Sequence, residues 1–222
     1  MSHSQSTQEY FEREATDFNA AYGGAPGQIK DFIRRISYLY NRKPIEGRLN
    51  ALLDLVGAVK GKKILEAGCG PGFYSIRLAE RGAQVTALDY AKGMIQIARR
   101  NAEQAGVKAD FILGNINDVP FSAKFDITFA TGVAEYIPPA QQGHFLKKMA
   151  SLANEHVIVS FPKKGILHAF VRDLWLTHFK KVKVTFFSND DIARLSQQAG
   201  LREVDRRDVG ILWVIKFSKS SS

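Results

Sequence analysis

Two patterns of apolar residues divide this chain. Up to residue 59 the apolar positions recur at helical spacing. Tyr10, Phe11, Ala15 and Phe18 share one helix face, Ile29, Phe32, Ile33 and Ile36 make a second stripe, and Ile45, Leu49, Leu52, Leu53 and Val56 a third that Gly57 closes. Tyr22-Gly23-Gly24-Ala25-Pro26-Gly27 breaks the first stripe from the second. From residue 62 onward, short apolar runs alternate with amphipathic stretches. The runs predict strands over 62–66, 84–88, 109–113, 125–130 and 157–161, with a final pair over 201–208 and 211–217. Helices are expected over 73–81, 92–104, 140–152, 167–179 and 188–199. Strands and helices in alternation call for an α/β fold with a parallel, doubly wound sheet. Residues 1–8 and 218–222 read as polar, disordered ends.

The chemistry concentrates at the end of the first strand. Ile64-Leu65-Glu66-Ala67-Gly68-Cys69-Gly70-Pro71-Gly72 is a buried strand running into an acid and a glycine-rich turn, and a helix opens at Phe73. Asp89 closes the second strand, roughly 20 residues on, the spacing of a ribose-binding carboxylate in a βαβ unit. The dinucleotide fingerprint G-x-G-x-x-G has its third glycine where this chain has Phe73, which puts bulk where helix and strand should pack closely. That disfavours a nicotinamide cofactor.

The pattern E-x-G-x-G-x-G, followed by an acid after the second strand, resembles the class I S-adenosylmethionine (SAM)-dependent methyltransferases. The resemblance covers residues 60–165 well. It implies a Rossmann-like, doubly wound, seven-stranded sheet whose last strand is antiparallel, and the short Val209-Gly210 link suits such a return. It also implies SAM as cofactor and S-adenosylhomocysteine as product. Gly68, Gly70 and Gly72 would let the backbone approach the methionine part, with Glu66 near its amino group. Asp89 would accept hydrogen bonds from both ribose hydroxyls. Tyr90 and Met94 resemble the positions that cover the adenine face. Asn115, with Ile116, stands where many members place an acid on the adenine amino group. Asp118-Val119-Pro120-Phe121 resembles the family's D-L-P-F loop.

Strand four continues into Thr131-Gly132-Val133-Ala134-Glu135-Tyr136, where the family commonly has L-E-H-I/V. Thr131 and Gly132 lie where the methyl would be handed over, and Tyr136 replaces the histidine. The base, if one is used, is therefore sought among His144, His168 and Glu135. The segment from Tyr10-Phe11 to Tyr22-Gly23 resembles the lid helix of small-molecule members, with a looser likeness to the magnesium-protoporphyrin O-methyltransferases. Tyr10 and Tyr22 are its candidate site residues. On this reading residues 1–59 form a helical lid or cap, and residues 60–222 a SAM-binding core with a substrate-side insertion at about 162–187.

Composition narrows the partners. The chain has 222 residues, 45% of them hydrophobic, enough for one domain with a substantial core. Its net charge is +9, which permits nucleic acid, an acidic lipid surface or an anionic small molecule as partner. Nucleic acid is disfavoured by Thr131-Gly132-Val133-Ala134, which is not the N-P-P-Y of amino-group DNA methylation. Cys69, the single cysteine, lies inside the glycine turn, so it reads as a space-filling residue rather than a C5 nucleophile. One cysteine excludes an intrachain disulfide, and a cytoplasmic location is the default. No apolar run reaches the ~18 residues of a membrane span, the first residues lack a signal-peptide core, and no cluster has metal-ligand spacing.

Residues 166–183 combine Ile166, Leu167, Phe170, Val171, Leu174, Trp175 and Phe179 with Arg172, Lys180, Lys181 and Lys183. The segment suits the wall of a pocket for a bulky anionic acceptor, a basic amphipathic helix in peripheral contact with a membrane, or a helix packed on the sheet. The expected function is methyl transfer to a small hydrophobic or anionic acceptor, lipid-linked where that segment meets a membrane, at oxygen. The alternatives are N- or C-methylation of a small molecule, an RNA or DNA methyltransferase, and a non-enzymatic SAM-binding protein.

Overall fold

A computed structural model describes residues 3–21, 45–165 and 183–220. In chain order the elements are α1 (His3–Ala21), α2 (45–56), β1 (Lys63–Ala67), α3 (Phe73–Ala79), β2 (Gln84–Asp89), α4 (Lys92–Gln104), β3 (Asp110–Leu113) and β4 (Phe125–Ala130). A 3₁₀ turn (Ala134–Tyr136), α5 (Pro139–Leu152), β5 (Ala153–Pro162), α6 (Asn189–Gln198), β6 (Leu201–Asp208) and β7 (Leu212–Lys219) follow. The seven strands form one sheet in the order β3-β2-β1-β4-β5-β7-β6. β1 to β5 pair in parallel, and β7 is antiparallel to both of its neighbours. The order reverses between β1 and β4, so the crevice where such sheets bind ligands opens at the carboxyl ends of those two strands.

Both faces of the sheet are covered, which is why the central strands read as continuous apolar runs. On one face Leu52 and Leu55 of α2, Leu78 of α3 and Ile95 of α4 pack over Ile64, Val85, Phe129 and Ile158. On the other, Leu146 and Met149 of α5 and Ile192 and Leu195 of α6 pack over Leu65, Val159, Phe161 and Phe217. Ser188 starts α6 with a reciprocal capping box, its hydroxyl on the Asp191 amide and the Asp191 carboxylate on the Ser188 amide.

The structure departs from the expected boundaries in three places. The N-terminus is helical from His3, and Thr7 is buried, because the helix is anchored on the core through its apolar face. At the other end β7 continues to Lys219, whose partner is Leu201. β5 begins at Ala153 rather than 157, since Ala153 already pairs with Phe125; the register then shifts across the exposed Asn154 and Glu155, which breaks the apolar period, and pairing resumes at His156 with Ile127. The expected stripe at 29–36 and helix at 167–179 lie outside the described residues.

Candidate active site

The glycine turn leaves β1 with all three glycines at positive φ: Gly68 at 75°, Gly70 at 51° and Gly72 at 82°. The amides of Gly68 and Cys69 both donate to the Leu88 carbonyl, at 2.8 and 3.0 Å, which ties the turn to the end of β2. The glycines are needed for different reasons. A β-carbon at Gly68 would come 2.4 Å from Val133, and one at Gly72 would come 3.0 Å from the Ala98 side chain and 3.2 Å from the Phe111 ring. One at Gly70 would meet nothing and face open space. The close approach of turn and α4 therefore falls on Gly72. Phe73 is half-buried against the core, with the Arg77 guanidinium 5.7 Å from its ring centre.

Asp89 is held beside this turn. Its carboxylate accepts from the Gly70 amide at 2.8 Å and the Ala91 amide at 2.9 Å. Burial pushes its pKa up, and these two amides oppose the shift. Glu66 is deeper: it is fully buried, bonded to the Ser75 hydroxyl, and its second carboxyl oxygen has no partner among the described residues. Burial raises its pKa to about 8, with the Ser75 hydrogen bond opposing and the Asp89 charge adding, so the carboxyl is neutral at pH 7. It lies beneath the turn and does not line the cavity. Burial likewise raises the Cys69 thiol, consistent with a space-filling role.

The cavity between turn, β2 and β4 is floored by Gly70, Pro71 and Tyr74 and walled on one side by Asp89, Tyr90 and Met94. Thr131, Gly132, Val133, Tyr136 and Ile137 form the opposite wall. Burial, then the neighbouring Asp89 charge, raise the Tyr90 phenol. The Thr131 hydroxyl is buried and has no partner among the described residues. The Gly132 amide donates to the Ser160 hydroxyl at 2.8 Å, and the Arg48 guanidinium packs so closely on Gly132 that a β-carbon there would sit 2.7 Å from it. Phe11 of α1 closes the top, its ring edge-on to Tyr136 at 5.0 Å and to Tyr90 at 6.3 Å.

Several expected site residues are not brought to this cavity. Tyr10 is buried beside Phe11, against Tyr136 and Val184, and the lid residue that lines the cavity is Phe11. Asn115 is exposed and its carbonyl accepts from the Asn117 amide at 3.0 Å, so it closes a local turn, while Ile116 is a core residue. His144 is exposed on α5, outside the cavity wall. Glu135 is buried in the 3₁₀ turn and its side chain does not line the cavity. Tyr22, His168 and the insertion over 166–182 lie outside the described residues. Among the described residues no acid, histidine and cysteine cluster could hold a metal, and no helix is long and apolar enough to cross a membrane.

Sequence reasoning missed Phe11, Arg48 and Ser160 as neighbours of the site. Phe11 carried a signal, an aromatic on the apolar face of the first helix. Arg48 and Ser160 carried none.

Residues 64–156 match the family model described as a methyltransferase domain. A ubiquinone biosynthesis O-methyltransferase of Vibrio campbellii is 32% identical over 123 residues, 51% of this chain and 52% of that protein. The chain thus spans about half the length of the first curated relatives it matches. A ubiquinone biosynthesis O-methyltransferase of Ruegeria pomeroyi is 30% identical over 176 residues, 76% of this chain and 71% of that protein. The chain belongs to the class I SAM-dependent methyltransferases. The magnesium protoporphyrin IX methyltransferase of Synechocystis, solved with bound SAM, shares the fold, with a TM-score of 0.76 at 19% identity over 99% of this chain and 98% of that one. The residues on the cavity fit this family's cofactor: Gly70 faces open space, Asp89 offers a carboxylate for a diol, and the buried Thr131 hydroxyl awaits a partner.

Proposed function

We propose that this protein transfers a methyl group from SAM to an oxygen of a small, largely apolar acceptor. The observation that carries the cofactor half is Asp89, fixed by two backbone amides at the mouth of a turn whose central glycine faces the cavity. Bound there, SAM supplies an electrophilic methyl group on a sulfonium. Asp89 would hold the ribose hydroxyls, Tyr90 and Met94 the adenine, and Gly68 and Gly70 the amino-acid end.

The acceptor half rests on the wall beyond Thr131. Val133, Ile137, Tyr136 and Phe11 make that wall apolar and aromatic, which suits a planar hydrophobic acceptor and excludes water from it. Oxygen as the methylated atom is supported by the curated relatives, which are ubiquinone biosynthesis O-methyltransferases. His144 takes no part on this reading. Tyr136, on the acceptor wall, would pack its ring against the acceptor.

The test is calorimetric titration with SAM, S-adenosylhomocysteine and NAD, followed by a catechol and phenol panel with radiolabelled SAM. Micromolar binding of the two SAM species with label appearing on oxygen supports the reading. Binding of NAD in their place sinks the cofactor half, and label on nitrogen or carbon sinks the acceptor half.

A further inference from the structure

The first turn of α4 is built against its own interest. Its N-cap is Ala91, which has no side chain to offer, and its first residue is Lys92, a cation at the positive end of the helix dipole. The missing cap comes from α1. The Glu12 carboxylate accepts from the amides of Lys92 and Gly93, the latter at 2.9 Å, across 80 residues of sequence. Gly93 makes room for it, since a β-carbon there would stand 3.0 Å from the carboxylate. Two further bonds run alongside: Gln8 donates to the Tyr90 carbonyl at 3.0 Å, and Asn101 donates to the Asn19 side-chain carbonyl at 2.8 Å. These bonds join α1 to α4 and to Tyr90 just before it.

Phe11, next to Glu12, is the residue that closes the cavity over Tyr90 and Tyr136. The cavity beneath it holds about 100 Å³, whereas pockets for small molecules commonly start at about 300 Å³. Room for a nucleoside would be made by a shift of α1, which carries Phe11 over the cavity. The pair of hydrogen bonds accepted by Glu12 is a polar tie that such a shift has to break.

We propose that Glu12 is a positioning residue: by capping α4 it latches α1 over the nucleoside site, and breaking this latch limits cofactor admission and release. The inference rests on the SAM reading given above. Glu12 touches no reacting atom and acts through Phe11.

The experiment is stopped-flow measurement of S-adenosylhomocysteine association and dissociation in the wild type, Glu12→Gln, Glu12→Ala and the control Glu9→Ala, whose side chain is exposed on the same helix. Glu12→Ala is expected to raise both rate constants about tenfold, the size of a lost cap, and Glu12→Gln less, with Glu9→Ala unchanged. Should Glu12→Ala fail to fold, Glu12→Gln, which keeps the shape and loses the charge, carries the test. Unchanged rates overturn the inference. So does slower association with a lowered melting temperature, the signature of a cap that only stabilises the fold. A wild type that binds no S-adenosylhomocysteine removes the cofactor reading itself, a result distinct from either.

Discussion

Replacing Asp89 by Asn tests the centre of the site. The carboxylate accepts one backbone amide on each oxygen, at 2.8 and 2.9 Å, and on the proposed reading also both ribose hydroxyls. Asn keeps the volume but loses the charge, and its amide nitrogen must face one of the two N–H groups. A hydrogen bond to a charged acceptor contributes about 1.5–3 kcal/mol. Losing one such bond within the fold should lower the melting temperature by several degrees, at about 2–4 °C per kcal/mol for a chain of this size. Losing both bonds to ribose should weaken S-adenosylhomocysteine binding by about 100-fold or more.

Because the turn itself is disturbed, the decisive comparison is with the 2′-deoxy analogue, by calorimetry. The wild type should bind the analogue at least about tenfold more weakly than the parent compound. In Asp89→Asn that discrimination should nearly vanish. If the variant still prefers the 2′-hydroxyl as the wild type does, Asp89 is not the ribose acceptor.

Glu66 predicts a pH dependence. Its pKa is about 8 in the folded chain against an ordinary value of 4.5, so the folded state keeps a proton that the unfolded state releases. That contribution to stability is fully present below about pH 4.5 and is lost as pH rises to about 8. The full span corresponds to on the order of 5 kcal/mol. Glu66→Gln cannot titrate, and urea unfolding at pH 5.5 and 8.5 should show it less pH-sensitive than the wild type; equal slopes would refute the burial argument. Gly132→Ala places a β-carbon at φ 70°, against the Arg48 guanidinium. It should cost about 1–3 kcal/mol by scanning calorimetry, and an unchanged melting temperature would mean that the Gly132–Arg48 contact is not close. His144→Ala, on the exposed face of α5, should leave both melting temperature and S-adenosylhomocysteine affinity unchanged, and a loss of affinity would restore it to the site.

The glycine turn and the acid after β2 were legible because both are local: each needs only a strand end, a positive φ and a fixed spacing. Phe73, standing in place of the third dinucleotide glycine, disfavoured a nicotinamide cofactor; the structure puts the close contact of turn and α4 on Gly72, with Phe73 half-buried beside it. Asn115 closes its own turn by accepting from the Asn117 amide, a local bond that its place after β3 did not announce. The N-terminal segment was misread because a polar helix with one apolar face looks disordered until its docking surface is known.

The sequence by itself determined the βα alternation, the glycine turn and Asp89, since apolar period and turn chemistry are written along the chain. The antiparallel last strand of a seven-stranded sheet was reached only through resemblance and then observed, and the order of the strands came from the structure alone. The tertiary structure alone decided which face of α1 meets the cavity, and so chose Phe11 over Tyr10. It alone brought Glu12 to the start of α4 and Arg48 to Gly132. The physical reason is common to these contacts. Each joins residues far apart in sequence, through side chains whose partners are set by how helices pack on the sheet, and no local period records that packing.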